Sequence, residues 1–326
     1  MSNEHWRPVA NKDRLFARAD LLKSIRHFFE QRSVLEVETP VLSKSAGTDP
    51  NLDSISASYL DAQHKAKTLF LQTSPEFAMK RLLANGSGAI FQICKAFRNA
   101  EQGARHNPEF TLLEWYQPGF DEHQLMDEVM ALVQSLYPQE QRLQQHWQRL
   151  SYQSLFEQYL GINPHIIDSG ELELLAKAKI NIEIKQARKD IWLDLLFSHL
   201  IEPQLQEPIF IYDYPASQAA LAAIEKNTDN IEIARRFELV IGGMEIANGY
   251  FELTDANEQR KRFSYDLAIR QEQNKTCNPL DENFLTAMDY GLPICSGVAV
   301  GLDRLLMLIS GTKLIEEVLA FPIDRA

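Results

Sequence analysis

Two arginines and two glutamates stand where their charge can do chemistry. Arg98 lies in Phe97-Arg98-Asn99, and His106-Asn107-Pro108-Glu109-Phe110 begins eight residues on. Arg304 follows Ser296-Gly297-Val298-Ala299-Val300-Gly301-Leu302-Asp303, a glycine-spaced strand running into a helix. A guanidinium is planar and permanently charged, so either arginine can fork onto a phosphate. Glu238 and Glu245 flank Gly242-Gly243. If those glycines form a two-residue hairpin loop, residue 238 faces 247, and 245 points to the same side from two places along. The diagonal separation is then roughly 7 Å. That is too wide for one shared proton and suits a divalent cation held between phosphate oxygens. Each residue alone also has an ordinary reading: a surface arginine, an Arg304–Asp303 ion pair, two solvated strand glutamates.

The elements that must position these groups can be read from period and punctuation. Leu15, Ala19, Leu22, Ile25 and Phe29 recur at helical spacing and predict a helix over 13–32. Residues 34–40 read as a strand ending at Pro40, and 69–73 as another. Ser74 then caps a helix with Pro75 at its first position, ended by Gly86 and Gly88. Strands over 89–98 and 109–116 form an antiparallel pair with a long polar loop, and 121–136 is helical. Residues 139–207 read as a mostly helical insertion covering the sheet, and 209–215 as a strand. A hairpin over 235–241 and 244–253, helices over 255–274 and 281–290, and a last strand and helix complete the chain. Asn248, Tyr250 and Glu252 have the opposite parity from Glu245, so a shared face requires a bulge, for which Gly249 is the expected place. Hairpin-paired strands with helices gathered around them predict an α+β fold with a mainly antiparallel sheet, as one domain over 1–326.

Composition narrows the function. The 326 residues carry 33 basic and 45 acidic side chains, a formal net charge of -12, which disfavours a general nucleic-acid binder. The cysteines, Cys94, Cys277 and Cys295, are far apart and odd in number, so a disulfide framework or zinc site is not expected and a reducing cytoplasm is. Residues 1–6 lack a basic-then-apolar signal pattern, and no run of about 18 apolar residues predicts a membrane span.

Taken together, the segments around Arg98 and Arg304 resemble motifs 2 and 3 of the class II aminoacyl-tRNA synthetases. Within that class the chain is most similar to the lysine group, through Thr73-Ser74-Pro75-Glu76, His106-Asn107-Pro108-Glu109-Phe110-Thr111 and Glu245-Ile246-Ala247-Asn248-Gly249-Tyr250. More narrowly it resembles the elongation factor P–(R)-β-lysine ligases, free-standing catalytic cores without an anticodon domain. Glu114-Trp115-Tyr116-Gln117-Pro118, Tyr214-Pro215-Ala216-Ser217-Gln218, the early start of the motifs, and Ala299 where lysyl-tRNA synthetases carry glycine support that narrower likeness.

The resemblance implies a set of roles. ATP would be held by Arg98 on the α-phosphate, Asn99, Phe110 stacked on adenine, His106 on the terminal phosphates, Gly301, and Arg304 on the γ-phosphate and adenine. Glu238 and Glu245 would carry Mg²⁺. The usual motif 2 carboxylate is displaced by one place, Ala100 preceding Glu101, so Glu101 is carried over as an adenine contact through a shifted loop. Ser74, Glu76, Glu114, Tyr116, Asn248, Tyr250, Glu252 and Ala299 would line the amino-acid pocket, with Glu114 and Glu252 on the distant ammonium of lysine or (R)-β-lysine and Glu76 on the near one. The implied activity is adenylate formation followed by transfer to a lysine of elongation factor P, by a homodimer that keeps no tRNA. Two other readings stay open: an enzyme charging tRNA or a free acceptor with α-lysine, and a non-catalytic amino-acid-binding regulator.

Overall fold

The computed structural model describes residues 6–145, 147–180, 182, 184 and 187–326. In chain order the elements begin with α1 (Lys12–Glu30), β1 (Leu35–Glu36), β2 (Leu42–Ser43), β3 (Ser56–Leu60), β4 (Ala66–Leu71) and α2 (Glu76–Ala84). The long pair β5 (Ile90–Phe97) and β6 (Glu109–Pro118) follows, then α3 (Glu122–Leu136), α4 (Gln141–Gln144), β7 (Gln148–Ser151), α5 (Tyr152–Leu160), α6 (Ser169–Lys179) and α7 (Lys189–Leu196). The chain continues through β8 (Ile209–Pro215), β9 (Ile224–Lys226), β10 (Glu232–Val240), β11 (Glu245–Phe251), α8 (Ala256–Glu272), α9 (Glu282–Gly291), β12 (Cys295–Gly301) and α10 (Leu302–Ser310). Two compact units result, residues 1–120 with 254–326, and residues 121–253.

In the first unit β1, β5, β6 and β12 lie side by side, with β5–β6–β12 antiparallel and β1 parallel to β5. The pleat sorts side chains by parity. Phe91, Leu113, Trp115, Val298 and Val300 fall on one face and are buried. Phe29 of α1 stacks on Phe91 at 4.4 Å and meets Trp115 edge-on at 5.3 Å. α1 covers this side with Leu21, Ile25, Phe28 and Phe29, whereas Leu15 and Ala19 are exposed and Leu22 is half-buried. The expected apolar stripe is therefore rotated along the helix. The sheet fixes which face is inner, and only the last two turns lie over it.

Several sequence expectations shift by a residue. Pro75 is the N-cap of α2 rather than its first residue, with the Ser74 hydroxyl accepting the Glu76 N–H at 3.4 Å. The strand expected over 34–40 is only two residues long. A separate three-stranded sheet, β2–β4–β3, was legible in sequence only as its middle strand.

The second unit pairs β11, β10, β8 and β7, with β9 also on β10. Asp121 caps α3 in a reciprocal capping box with Gln124. The expected helical insertion over 139–207 contains α4 to α7, and also β7, which pairs parallel to β8. Residues 146, 181, 183, 185 and 186 of that span lie outside the described residues. Trp192, Leu193, Phe156 and Leu172 of the insertion pack with Ile211, Tyr214 and Ala234 of the sheet as one core, which is the expected covering. Among the described residues no helix is long and apolar enough to cross a membrane.

Candidate functional site

The opposite face of β5–β6–β12 carries the chemistry. Gln92 faces Glu114, which faces Ala299, and Tyr116 lies between Ile90 and Gly297. Phe110 has the same parity as Glu114 and Tyr116 and faces Ala96, so one surface presents Phe110, Glu114, Tyr116, Gly297, Ala299 and Gly301. Arg98 follows β5 directly, and its N–H donates to Pro108 O at 2.9 Å, which prolongs the pairing by one rung.

The Arg98 guanidinium sits over the Phe110 ring at 5.1 Å and reaches Glu101 at 3.6 Å. Its Nε is buried and has no hydrogen-bond partner among the described residues. A buried charged donor without an acceptor is costly, and a ligand oxygen would satisfy it. Glu101 thus meets Arg98, and the turn that brings it there puts Ala100 at φ +62°, a left-handed conformation unusual for alanine. Asn99 is tied through its N–H to Asp53 O at 2.8 Å.

His106 lies at the end of the same loop, its Nε2 at 2.7 Å from the Arg304 guanidinium. The loop is strapped to the C-terminal turns: Ile315 N–H donates to Ala104 O at 2.8 Å, Ile323 N–H to Asn107 Oδ1 at 3.0 Å, and Gln102 Nε2 to Asp324 at 3.0 Å. A cavity of about 280 Å³ opens there, lined among others by Gln102, His106, Glu316 and Asp324. Two carboxylates in its wall disfavour an anion, so a triphosphate is better served on the arginine side. Gly301 has φ -75°, and a Cβ there would touch only the Arg304 stem, at 3.8 Å. The chain's own packing therefore does not demand glycine at this position.

Glu114 is 2% exposed and accepts the Tyr116 hydroxyl at 2.7 Å. Burial, then the Glu114 charge, push the Cys94 thiol up to about 12, so it offers no thiolate nucleophile near neutrality. Glu76 opens α2 and accepts Lys80 Nζ at 2.6 Å. Lys80 is 1% exposed. Sequence reading did not single it out, although Glu-x₃-Lys on a helix is the signal for such a pair.

In the second unit the hairpin turns on Gly242 (φ +63°) and Gly243 (φ +64°), the backbone of a type I′ turn. Val240 faces Glu245, but Leu239 faces Ala247 and Glu238 faces Asn248. The extra residue is Ile246, so Glu238 does not face 247 and the bulge is not at Gly249. The register slips near the turn. The effect is the one required: Glu245, Asn248 and Tyr250 share the face of Glu238.

Arg236, on the same face, was missed by sequence reading. It ion-pairs with Glu238, donates to Asn248 Oδ1 at 3.3 Å and to Gln218 O at 3.0 Å, and lies 4.6 Å from the Tyr214 ring. Asn248 Nδ2 also donates to Glu238, at 3.2 Å. Burial raises the Glu238 carboxyl to about 7 against the pull of Arg236, and Glu245 adds to the rise. Glu252 is buried where its backbone bridges Ala222.

Asp213, elsewhere in this unit, is raised to about 6 by burial and by Glu122. Its folded value exceeds the unfolded 3.8, so its stabilising share is full below about 3.8 and is lost as pH rises through about 6. Its φ of +56° suits asparagine as well. Asp213→Asn is therefore expected to raise the urea midpoint at pH 8, on the order of 1 kcal/mol in this partly open site, and to change little at pH 4. Equal midpoint shifts at both pH values would contradict this.

Residues 5–325 match the family described as tRNA synthetases class II (D, K and N), and the chain belongs to that family. It is 47% identical over 334 residues to the elongation factor P–(R)-β-lysine ligase of Pseudoalteromonas translucida, covering 100% of both chains. Proteins of the same name from Avibacterium paragallinarum and Pasteurella multocida are each 45% identical, over 331 residues (100% of both chains) and 329 residues (99% of both).

Proposed function

We propose that the protein activates (R)-β-lysine, or lysine, with ATP and transfers it to a lysine side chain of elongation factor P. The observation that carries this is the end-to-end likeness to ligases of that name, in a chain whose Arg98, Phe110, Glu114 and Tyr116 lie on one sheet face. In this reading residues 1–326 act as one catalytic domain. The amino-acid carboxylate attacks the α-phosphorus, a phosphorus–oxygen bond forms, and pyrophosphate leaves. Arg98, whose buried Nε lacks an acceptor among the described residues, stabilises the charge that builds on the α-phosphate. Phe110 and Arg304 hold adenine, with Asn99 and Glu101 beside it. His106 and Arg304 face the terminal phosphates. Gly301, which the fold itself does not require, leaves room for the nucleotide.

Glu238 and Glu245 would hold Mg²⁺. They fit it: two carboxylates on one face of the β10–β11 pair, one of them kept from ionising readily by burial, gain from a cation shared with phosphates. The ion would neutralise phosphate charge when bound. Glu76, Glu114 and Glu252 would meet the two ammonium groups, with Ser74, Tyr116, Asn248, Tyr250 and Ala299 shaping the pocket. The acceptor amine then attacks the activated carbonyl, forming an amide and releasing AMP, in the cytoplasm where translation factors reside. No enzyme nucleophile takes part, consistent with the raised Cys94 thiol.

The decisive experiment is pyrophosphate exchange with α-lysine and (R)-β-lysine in parallel, followed by the mass of added elongation factor P. Preference for (R)-β-lysine and a mass gain of one lysyl residue are expected. Exchange with α-lysine alone and an unmodified factor would favour the tRNA-charging alternative, and no exchange at all the regulator.

We also propose a homodimer. α1, β1 and β2 leave Leu15, Phe16, Leu35 and Leu42 exposed, more apolar surface than solvated elements usually carry. Light scattering is expected to give a dimeric mass, and Phe16→Asp to lower it to that of one chain. A monomeric wild type would exclude the dimer.

A further inference from the structure

Asp303 is a buried carboxylate that the reaction described above leaves without a task. It is 2% exposed and stands in the first turn of α10, beside Arg304. Its two oxygens have different partners. Oδ2 accepts the Thr111 N–H at 2.7 Å, and Oδ1 accepts the Arg18 guanidinium at 2.5 Å. The same Arg18 nitrogen donates to Val318 O at 2.9 Å. β12 ends at Gly301, opposite Leu112, so no strand backbone continues alongside Thr111 on that side. The Asp303 side chain supplies the missing acceptor and prolongs the ladder by one rung. It thereby ties α10 to β6 at the residue after Phe110, while Arg18 ties both to α1. At the other end of α10, Arg14 of α1 donates to Ser310 O at 3.3 Å.

We infer that Asp303, held by Arg18, is a positioning residue for ATP. It fixes Arg304 and Phe110 relative to each other, the two side chains between which adenine must lie. The inference rests on the ATP reading of Arg304 and Phe110 given above. A link serving the fold alone would be as well made by apolar packing, because a buried ion pair seldom adds net stability. A carboxylate with one oxygen on each of two elements instead sets distance and angle.

The test uses Asp303→Ala, Asp303→Asn, Arg18→Ala, Arg18→Lys and the double alanine variant of the full-length protein. ATP affinity is measured by calorimetry without amino acid, KM for ATP and for lysine by pyrophosphate exchange, and the unfolding midpoint in parallel. Asp303→Ala and Arg18→Ala are expected to weaken ATP about tenfold to a hundredfold, with the KM for lysine within about twofold. The double variant should be no worse than Asp303→Ala, and Arg18→Lys should recover most of the loss. Asp303→Asn keeps an acceptor for Thr111 but loses the charge facing Arg18, so it should fall between, and it carries the test if the alanine variant does not fold. Unchanged ATP affinity, or ATP and lysine constants that worsen together in step with the unfolding midpoint, would overturn the inference. Calorimetry separates the two claims: wild type that binds ATP but supports no lysine-dependent exchange defeats the proposed reaction and leaves the positioning role measurable.

Discussion

Arg98→Ala is expected to abolish adenylate formation, lowering amino-acid-dependent pyrophosphate exchange by about 10³-fold or more. The guanidinium lies over Phe110, at 5.1 Å, on the strand face that also carries Glu114 and Tyr116. Its link to Glu101, at 3.6 Å, is loose enough to yield to a phosphate. Its buried Nε has no acceptor among the described residues, and a ligand oxygen would supply one. Removing it takes away charge where charge develops and costs the fold only the loose link to Glu101 and the contact with Phe110, so the unfolding midpoint should move little. Lysine would not restore the lost geometry, because it cannot fork. Exchange within about tenfold of wild type in the alanine variant would mean that Arg98 faces no α-phosphate.

Glu114→Gln should strike the other substrate. Glu114 is fully enclosed, and the Tyr116 hydroxyl occupies one of its oxygens at 2.7 Å. Glutamine keeps the shape and the acceptor for Tyr116 but removes the charge. If the distant ammonium of a lysine isomer docks here, the variant strips it of one of the two carboxylates proposed to meet it, a loss of about 3–4 kcal/mol. The kcat/KM for the amino acid should then fall by about 10²- to 10³-fold while ATP affinity stays near wild type. Since desolvating a carboxylate has its own cost, the variant should be at least as stable as wild type. An unchanged amino-acid KM would remove Glu114 from the pocket.

Much of this arrangement was legible in the chain because it depends on parity within single strands. Phe110, Glu114 and Tyr116 are two or four places apart, and no tertiary knowledge is needed to put them on one face. β8 and α3 were equally plain, with the start of α3 placed within one residue, each signalled by its own residues. Where pairing between distant segments decides, sequence was silent. The bulge at Ile246 is set by how β10 meets its neighbours, and β10 slips register against β8 as well. β3, mostly exposed, and β7, four residues long, offer too few alternating positions to stand out. The rotation of the α1 stripe has the same cause, since an amphipathic period gives a face but not which part of it meets a partner. Arg236 and Lys80 were missed, and Asp303 was read only as an ordinary partner of Arg304, for a further reason. Their importance lies in what they touch, and a charged residue beside a motif looks like any other until its partner is known.

The main strand array of each unit has one very short outer ribbon. In the first unit the outermost strand is β1, two residues long; in the second it is β7, with four. A strand margin that brief exposes few free backbone groups and gives a passing chain almost nothing to zip onto. Fibre-like growth by strand addition at these margins is thereby discouraged.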